Sequence, residues 1–145
     1  MTFAFRPLLM AFLLALYGHP SQAATADNML SPCPDTPNCV STEATHESQR
    51  VPTVAFTDTP AAALVRARAA LLAEPRSKVM IERDGYVRGE CRSFLFRFVD
   101  DVDIVVDPVA RVFRFRSASR VGRSDLGVNR QRMERIASRL RPAAG

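Results

Sequence analysis

The stretch DDVDIVVDPVARVFRFR, residues 100–116, predicts two antiparallel strands joined by a turn at Asp107–Pro108. Apolar and charged side chains alternate along both halves, as they do in strands with one buried and one polar face. If the hairpin keeps its apolar faces together, one face carries Val102, Ile104, Val106, Phe113 and Phe115. The opposite face then carries Arg97, Asp101, Asp103, Arg114 and Arg116. Unlike charges directly opposed on that face would stabilise the sheet by about 0.2–1 kcal/mol each.

Two segments before this hairpin predict a helix and a pair of strands. Thr59 is suited to cap a helix that begins at Pro60 and is ended by Pro75. The apolar side chains of this helix recur at Leu64, Ala67, Leu71 and Leu72. The segments KVMIE and YVRGEC then flank the turn signal Arg83–Asp84–Gly85.

The turn at Gly85 decides how these two strands pair. A two-residue turn mismatches their apolar and polar faces. We therefore expect a three-residue loop with Gly85 in the left-handed conformation, which pairs Ile81 with Val87 and Val79 with Gly89.

Alternating phenylalanines precede the hairpin, and a helical pattern follows it. Phe94, Phe96 and Phe98 predict a long strand with a bend or bulge at Asp100–Asp101. The last helix is indicated by Met133, Ile136, Ala137 and Leu140, with Leu126 as a possible extension and Asp125 or Asn129 as its cap. The predicted fold class is α+β, with an antiparallel meander sheet of about four strands and two helices packed on one face.

The first residues have the pattern of a secretory signal peptide. Arg6 precedes the ten-residue apolar segment Leu8–Tyr17, and small residues follow. We expect residues 1–23 to be removed by cleavage after Ala23 or Ala26, with a retained membrane anchor as the alternative. The expected location is periplasmic or secreted, with no transmembrane helix after leader removal. Residues 24–58 are predicted to form an extended arm, and residues 59–145 a single α+β domain.

The cysteines agree with an oxidising compartment. Cys33 and Cys39 enclose the short segment CPDTPNC and are predicted to form a disulfide in the arm. Cys91 stands alone in a predicted strand, where a buried apolar role is expected. Neither a zinc spacing nor a haem attachment motif occurs, and no cofactor is predicted.

The chain carries a formal net charge of +5, and its positive charge is almost entirely arginine, since Lys78 is the only lysine. Six arginines fall within residues 116–136, where a strand leads into the last helix. A helix start and nearby serines offer donors to an anion. Asn129 lies on the apolar stripe of the helix and should be partly buried, held by the preceding loop or in contact with a ligand. The candidate ligand-binding residues are Arg92, Arg116, Ser117, Ser119, Arg120, Asp125, Asn129 and Arg130. The alternative is a structural network of salt bridges.

Catalytic signals are few. His46 lies in the arm, where exposure is expected, and no base is visible near Cys91. The aspartates of residues 100–107 lack the pattern of a calcium loop, so no metal is predicted. Nucleic acid is disfavoured, because the basic segment has no aromatic residues for stacking.

The leading hypothesis is a non-enzymatic domain that binds a small anionic ligand or an acidic envelope partner. The alternatives are a hydrolase-like enzyme using Asp101 or Asp103 with arginine charge stabilisation, and a structural accessory of an envelope complex.

Three blocks of the sequence resemble the bacterial and plastid family known as domain of unknown function 1499. They are SPCPDTPNCVST (residues 31–42), RSFLFRFVDDVDIVVDP (residues 92–108) and RSASRVGRSDLGVNRQRMERI (residues 116–136). The resemblance covers most of the chain after the leader. It implies a small exported or membrane-associated domain, and it brings no established reaction, cofactor or partner.

Overall fold

Six antiparallel strands form one sheet, and two helices pack on one of its faces. The computed structural model describes residues 29–94 and 97–141. The elements in chain order are β1 (Cys39–Ser41), a 3-10 turn (Glu47–Gln49), β2 (Val54–Ala55), α1 (Pro60–Leu72), β3 (Ser77–Arg83), β4 (Tyr86–Arg92), β5 (Val99–Asp107), β6 (Val112–Ser119) and α2 (Val128–Leu140). The strand order is β1-β6-β5-β4-β3, and β2 also pairs with β6. This confirms the α+β class and the predicted meander, which comprises β3 to β6.

The two additional strands come from the predicted arm. β1 and β2 both pair with β6, so the arm extends the sheet at this edge. Val40 and Phe56 of the arm are buried in the main core. The predicted disulfide joins Cys33 to Cys39, the first residue of β1. The proposed signal peptide lies outside the described residues. Within residues 29–94 and 97–141, neither helix has the length and hydrophobicity of a membrane span.

The hairpin of β5 and β6 has the predicted arrangement of faces. Ile104 is paired with Phe115 and Val106 with Phe113, and all four side chains are almost completely buried. Asp103 is paired with Arg116 on the other face. The register is continuous through Asp100 and Asp101, so the bend predicted there is wrong.

Both helices begin close to their predicted starts. The hydroxyl of Thr59 accepts a hydrogen bond from Ala62 N at 3.2 Å, and Pro60 occupies the first turn of α1. Ala63, Ala67 and Leu71 are buried against the sheet, whereas Leu72, predicted in the same stripe, is exposed. In α2 the buried stripe comprises Asn129, Arg132, Met133, Ile136, Ala137 and Leu140.

The two residues predicted as the cap of α2, Asp125 and Asn129, lie on either side of its first residue, Val128. The carboxylate of Asp125 accepts hydrogen bonds from Gly127 N and Asn129 N at 3.0 and 2.8 Å. The N-cap residue of α2 is Gly127, which offers no side-chain hydrogen bond. Asp125 accepts a first-turn N–H from two residues before the cap, and Asn129 lies inside the helix, so neither predicted residue is the N-cap. Leu126 lies before the helix and is highly exposed, so its predicted place on the apolar stripe is wrong.

The β3–β4 hairpin has a two-residue turn at Asp84–Gly85, and the predicted three-residue loop is wrong. Arg83 pairs with Tyr86, which places Ile81 opposite Arg88 instead of Val87. A register shift between Val79 and Ile81 then restores the predicted pairing of Val79 with Gly89. The bulge within β3 thus corrects the mismatch between apolar and polar faces that the two-residue turn creates. Gly85 has the predicted positive φ, 69°.

Phe94 and Phe98, which precede β5, lie outside the sheet. β4 ends at Arg92 and β5 begins at Val99, so the predicted strand over Phe94 and Phe98 is wrong; Phe96 lies outside the described residues. Arg97 has φ of 54° and an exposed side chain in this loop. It is therefore not on the polar sheet face where we expected it.

Candidate functional site

A network of polar side chains is buried beneath the first turns of α2. Asp100 has the same parity as Val102 and Ile104, so its carboxylate points toward the helices. Its Oδ2 atom accepts a hydrogen bond from Nη2 of Arg132 at 2.7 Å, and both side chains are 6% exposed. Nη1 of Arg132 also donates to Oδ1 of Asn129 at 2.7 Å and to the hydroxyl of Ser117 at 3.2 Å. The buried guanidinium is thus matched by one carboxylate and two neutral acceptors.

Asn129 uses its full hydrogen-bonding capacity inside this network. Its Oδ1 atom accepts from Ser117 at 2.5 Å as well as from Arg132, and its Nδ2 atom donates to the Ser119 hydroxyl at 3.0 Å and to the Asn38 carbonyl at 3.1 Å. An amide offers two acceptor sites and two donors, and all four are occupied here. The predicted burial of Asn129 is confirmed, and its partners come from β6, the arm and its own helix.

On the opposite face of the sheet, Asp103 is the centre of a second cluster. Its carboxylate is fully buried and accepts hydrogen bonds from the Tyr86 hydroxyl at 2.5 Å and Nε of Arg88 at 2.7 Å. Nη1 of Arg116 lies 3.6 Å away. Burial, together with the hydrogen bond to Asp103, raises the pKa of Tyr86 to about 12. The tyrosine therefore remains a neutral donor to a carboxylate that two arginines balance.

Arg120 joins two further carboxylates of the same face. Its guanidinium contacts Asp101 through two hydrogen bonds of 3.0 and 2.7 Å, and Oε1 of Glu90 at 2.6 Å. Lys78 lies 3.2 Å from the other oxygen of Glu90, and Arg92 lies 3.5 Å from it. Hydrogen bonds from Arg120 and Lys78 hold the pKa of Glu90 below its usual value. Glu90 is therefore ionised, and both carboxylates are paired.

A third cluster connects the two helices. Glu74 follows α1, its side chain is 1% exposed, and it accepts hydrogen bonds from Arg135 and Arg139 of α2. Burial by itself raises the pKa of Glu74, but the hydrogen bonds from Arg135 and Arg139 outweigh burial and hold the pKa below its ordinary 4.5. The carboxylate is thus ionised at neutral pH and holds the end of α1 to α2.

We expect Glu74→Gln to lower the free energy of unfolding at neutral pH by about 1–3 kcal/mol, because hydrogen bonds to charged groups contribute that much. The pKa of Glu74 is depressed in the folded state, so its stabilisation is present above the ordinary pKa and is lost as the pH falls through the folded value. The variant should therefore show a smaller loss of stability below about pH 4.5 than the natural chain. Urea unfolding at a series of pH values measures both effects.

Glu82→Gln provides the matched control for this prediction. Glu82 makes a single ion pair of 3.1 Å with Arg68, and both side chains are about half exposed. Its replacement should cost less than about 1 kcal/mol, as exposed pairs do. An equal loss in the two variants would contradict the special role of Glu74.

Two of the arginines whose side chains have no hydrogen-bond or ion-pair partner in the described residues lie at one end of the sheet. There β4 ends, β5 begins and β6 ends. We call this region the loop end; it comprises the described residues of two loops, 93–94 with 97–98 after β4, and 120–127 after β6. The loops are joined at their bases by a hydrogen bond of 3.0 Å from Arg120 N to the Val99 carbonyl. Arg97 and Arg123 are exposed. Within residues 29–94 and 97–141, neither makes a hydrogen bond or an ion pair.

The eight predicted ligand-binding residues are divided among three places. Ser117, Ser119 and Asn129 lie together in the buried network, and Asp125 adjoins it by accepting a hydrogen bond from Asn129 N. Arg92, Arg116 and Arg120 lie on the other face, each beside a carboxylate. Arg130 donates to the carbonyls of Ser48 and Arg50 in the arm at 2.7 and 3.2 Å. The sheet thus separates the serines from the arginines that were expected to join them.

The sequence contained signals for two members of the buried network that we did not predict. Asp100 shares the parity of the apolar side chains of β5. Arg132 falls on the apolar stripe of α2, three residues after Asn129 and directly before Met133. A charged residue at an apolar position on each element indicates a buried pair. Glu74 offered no such signal, because it lies beyond the helix and directly before Pro75.

The remaining reactive groups offer little chemistry. Burial raises the pKa of the Cys91 thiol to about 11, so the buried thiol stays protonated. His46 is exposed, lies 3.1 Å from Asp35, and lines a cavity of about 250 Å³ in the arm. In the part of the chain that the structure describes, no group of three or more side chains is placed to hold a metal ion.

The fold and these clusters define a small α+β domain with an extensive arginine–carboxylate network. The chain belongs to the family described as protein of unknown function DUF1499, which it matches over residues 29–140. No curated protein matches the chain significantly in sequence.

Proposed function

We propose that this chain is an exported, non-enzymatic domain that binds an anionic group through the arginines of the loop end. One observation carries the proposal. Arg97 and Arg123 are exposed and unpaired within the described residues, whereas Asp101 of β5 and Asp125 of the second loop are engaged by Arg120 and by backbone N–H groups. Guanidinium groups present a planar fork that suits carboxylate or phosphate. An incoming anion therefore meets two arginines that need not give up a partner.

The hydrolase-like alternative has less support. A general base must be free to accept a proton from a substrate. Asp103 is buried and opposed by Arg88 and Arg116, and Asp101 is held by Arg120. Proton uptake by either aspartate would break these ion pairs. No feature of the described residues specifically favours the accessory alternative.

A thermal unfolding titration with inorganic phosphate and with citrate tests the proposal. An anion that binds the native state raises the Tm by mass action, and a ligand at a hundredfold excess over its Kd adds about 2.7 kcal/mol of stability. We expect a Tm increase of several degrees over sodium chloride at equal ionic strength. The double variant Arg97→Ser/Arg123→Ser should lose most of that increase.

Arg83→Ser/Arg141→Ser removes the same charge at the opposite end of the sheet and serves as the control. Both side chains are exposed; Arg83 stacks on Tyr86, and Arg141 follows the end of α2. This variant should keep the increase. If both double variants respond like the natural chain, or if the anions act no more strongly than the salt, the loop end does not bind anions.

A further inference from the structure

The loop end exposes large apolar side chains beside its unpaired arginines. Phe94 is 81% exposed and Leu126 is 90% exposed, while Phe98 and Val121 are about half exposed. Each loop therefore presents two described apolar residues to solvent, although no apolar residue of β4, β5 or β6 is exposed. Scattered single apolar residues on a surface need no explanation, but a group on one end of a molecule indicates a contact.

The backbone directs some of these side chains outward. Leu126 has φ of 55°, in the left-handed region that bulky residues rarely adopt. The turn that contains it is fixed by the hydrogen bonds of Asp125 to Gly127 N and Asn129 N. In the other loop, Ser93 and Phe98 form a closed pair of hydrogen bonds through Ser93 N and Ser93 Oγ, each 2.9 Å long. The apolar residues thus project from two constrained turns.

The charges around these residues select the chemistry of a partner. The two loops contain Arg97, Arg120 and Arg123, and their one carboxylate in the described residues is Asp125, whose oxygens accept backbone hydrogen bonds. Arg76 lies over the ring of Phe94, 5.6 Å from its centre. An apolar tip surrounded by guanidinium groups matches a layer in which anionic phosphates cover hydrocarbon, since aromatic rings and arginines both favour that interface.

Resting on the proposed anion binding, we infer that the loop end docks on a bilayer surface that bears anionic lipid headgroups. Phe94 and Leu126 enter the boundary between headgroups and acyl chains, and Arg97 and Arg123 contact phosphates. Separate side chains that project from two loops suit a fluid layer, which adapts to them. The exposed apolar residues thereby acquire a function that binding of a free anion would leave unexplained.

Tryptophan reporters test this inference at single positions, because the sequence contains no tryptophan. Phe94→Trp and Leu126→Trp replace exposed side chains in the complete chain as it is recovered from expressing cells. With vesicles of phosphatidylcholine and phosphatidylglycerol, the emission of both variants should shift to shorter wavelength and be quenched by brominated acyl chains. Val109→Trp is the matched control, since Val109 is 91% exposed at the opposite end of the sheet, and its emission should not change.

Charge dependence provides the second readout. Pure phosphatidylcholine vesicles should produce no shift with the Phe94→Trp reporter. Adding Arg97→Ser and Arg123→Ser to that reporter should weaken binding to the anionic vesicles about thirtyfold, because each arginine near such a surface contributes about one factor of five. The absence of any shift with anionic vesicles, or equal shifts at all three reporter positions, would overturn the membrane inference.

The phosphate titration distinguishes this failure from failure of the proposed function. If phosphate raises the Tm through Arg97 and Arg123 but vesicles leave the reporters unchanged, anion binding stands and the membrane inference falls. A shift of Phe94→Trp with poly-glutamate and none with vesicles would assign the loop end to an acidic protein and would also refute the membrane surface. If phosphate, poly-glutamate and vesicles all have no effect, both proposals are wrong.

Discussion

Replacing Arg132 with methionine is expected to lower the free energy of unfolding by about 3–5 kcal/mol, because it removes one member of a buried ion pair and leaves the other charged. Arg132 and Asp100 are each 6% exposed and lie 2.7 Å apart between β5 and α2. Methionine fills much of the space of the arginine stem but donates no hydrogen bond. Asp100 would then be a carboxylate without a counter-charge in the core, and Asn129 would lose one of its donors. Urea unfolding followed by far-ultraviolet circular dichroism measures the loss.

Two companion variants separate the buried charge from general damage to α2. Arg130→Met changes the same helix, but its exposed hydrogen bonds to the arm should cost less than about 1.5 kcal/mol. Combining Arg132→Met with Asp100→Leu removes both charges, and stability should recover in part, since apolar replacement of a whole buried pair is often neutral. If Arg132→Met costs no more than Arg130→Met, the pair does not hold α2 on the sheet.

The alternation of side chains was sufficient to predict the central hairpin. Ile104 and Phe115 face each other because a one-residue slip would expose every apolar side chain of β5 or β6. The capping of α1 by Thr59 could likewise be predicted, since it depends on residues adjacent in sequence. The cap depends on neighbouring residues and the hairpin register depends on burial alone. The amino-acid sequence contains the information for both.

Features that depend on distant partners could not be predicted in the same way. The arm contributes β1 and β2 because β6 offers an open edge, and short segments such as Val54–Ala55 have no pattern of their own. The bulge between Val79 and Ile81 lies beside Gly89, where β4 packs against α1. At Gly89, a Cβ atom would lie 2.5 Å from Cδ2 of Leu71, so α1 contacts the bare backbone of β4. That contact joins two elements and is invisible in either segment alone.

The candidate site likewise has features that the sequence predicts and features that depend on the folded chain. The parity of β6 placed Arg116 on the polar face, and Asp103 is its neighbour there as expected. The same parity places Ser117 and Ser119 on the helix face, which separates them from Arg116 and Arg120. The predicted pocket combined residues from both faces of the sheet, so these residues cannot surround a single ligand. Arg97 and Arg123 are unpaired within the described residues because the carboxylates of the fold lie elsewhere or are already engaged, and only the folded chain decides that.

Phe113→Ala and Phe94→Ala are expected to differ in their effect on stability although the chemical change is identical. Phe113 is fully buried, with its ring centre 5.3 Å from that of Phe56 and 6.4 Å from that of Phe115. The guanidinium of Arg66 lies over the same ring at 5.3 Å and also donates to the Leu140 carbonyl at 2.9 Å. Phe113→Ala should therefore cost about 3–5 kcal/mol, the usual loss for a core phenylalanine.

Phe94→Ala should cost less than about 0.5 kcal/mol, as is usual for surface substitutions. The comparison matters for function because alternation alone would place both phenylalanines in strands. If Phe94 belonged to the sheet, its removal would approach the cost of Phe113→Ala. It would then be unavailable for a surface contact, and the loop end would lose its most prominent aromatic residue. A small cost, together with loss of vesicle binding in the same variant, is what a residue kept exposed for binding should show.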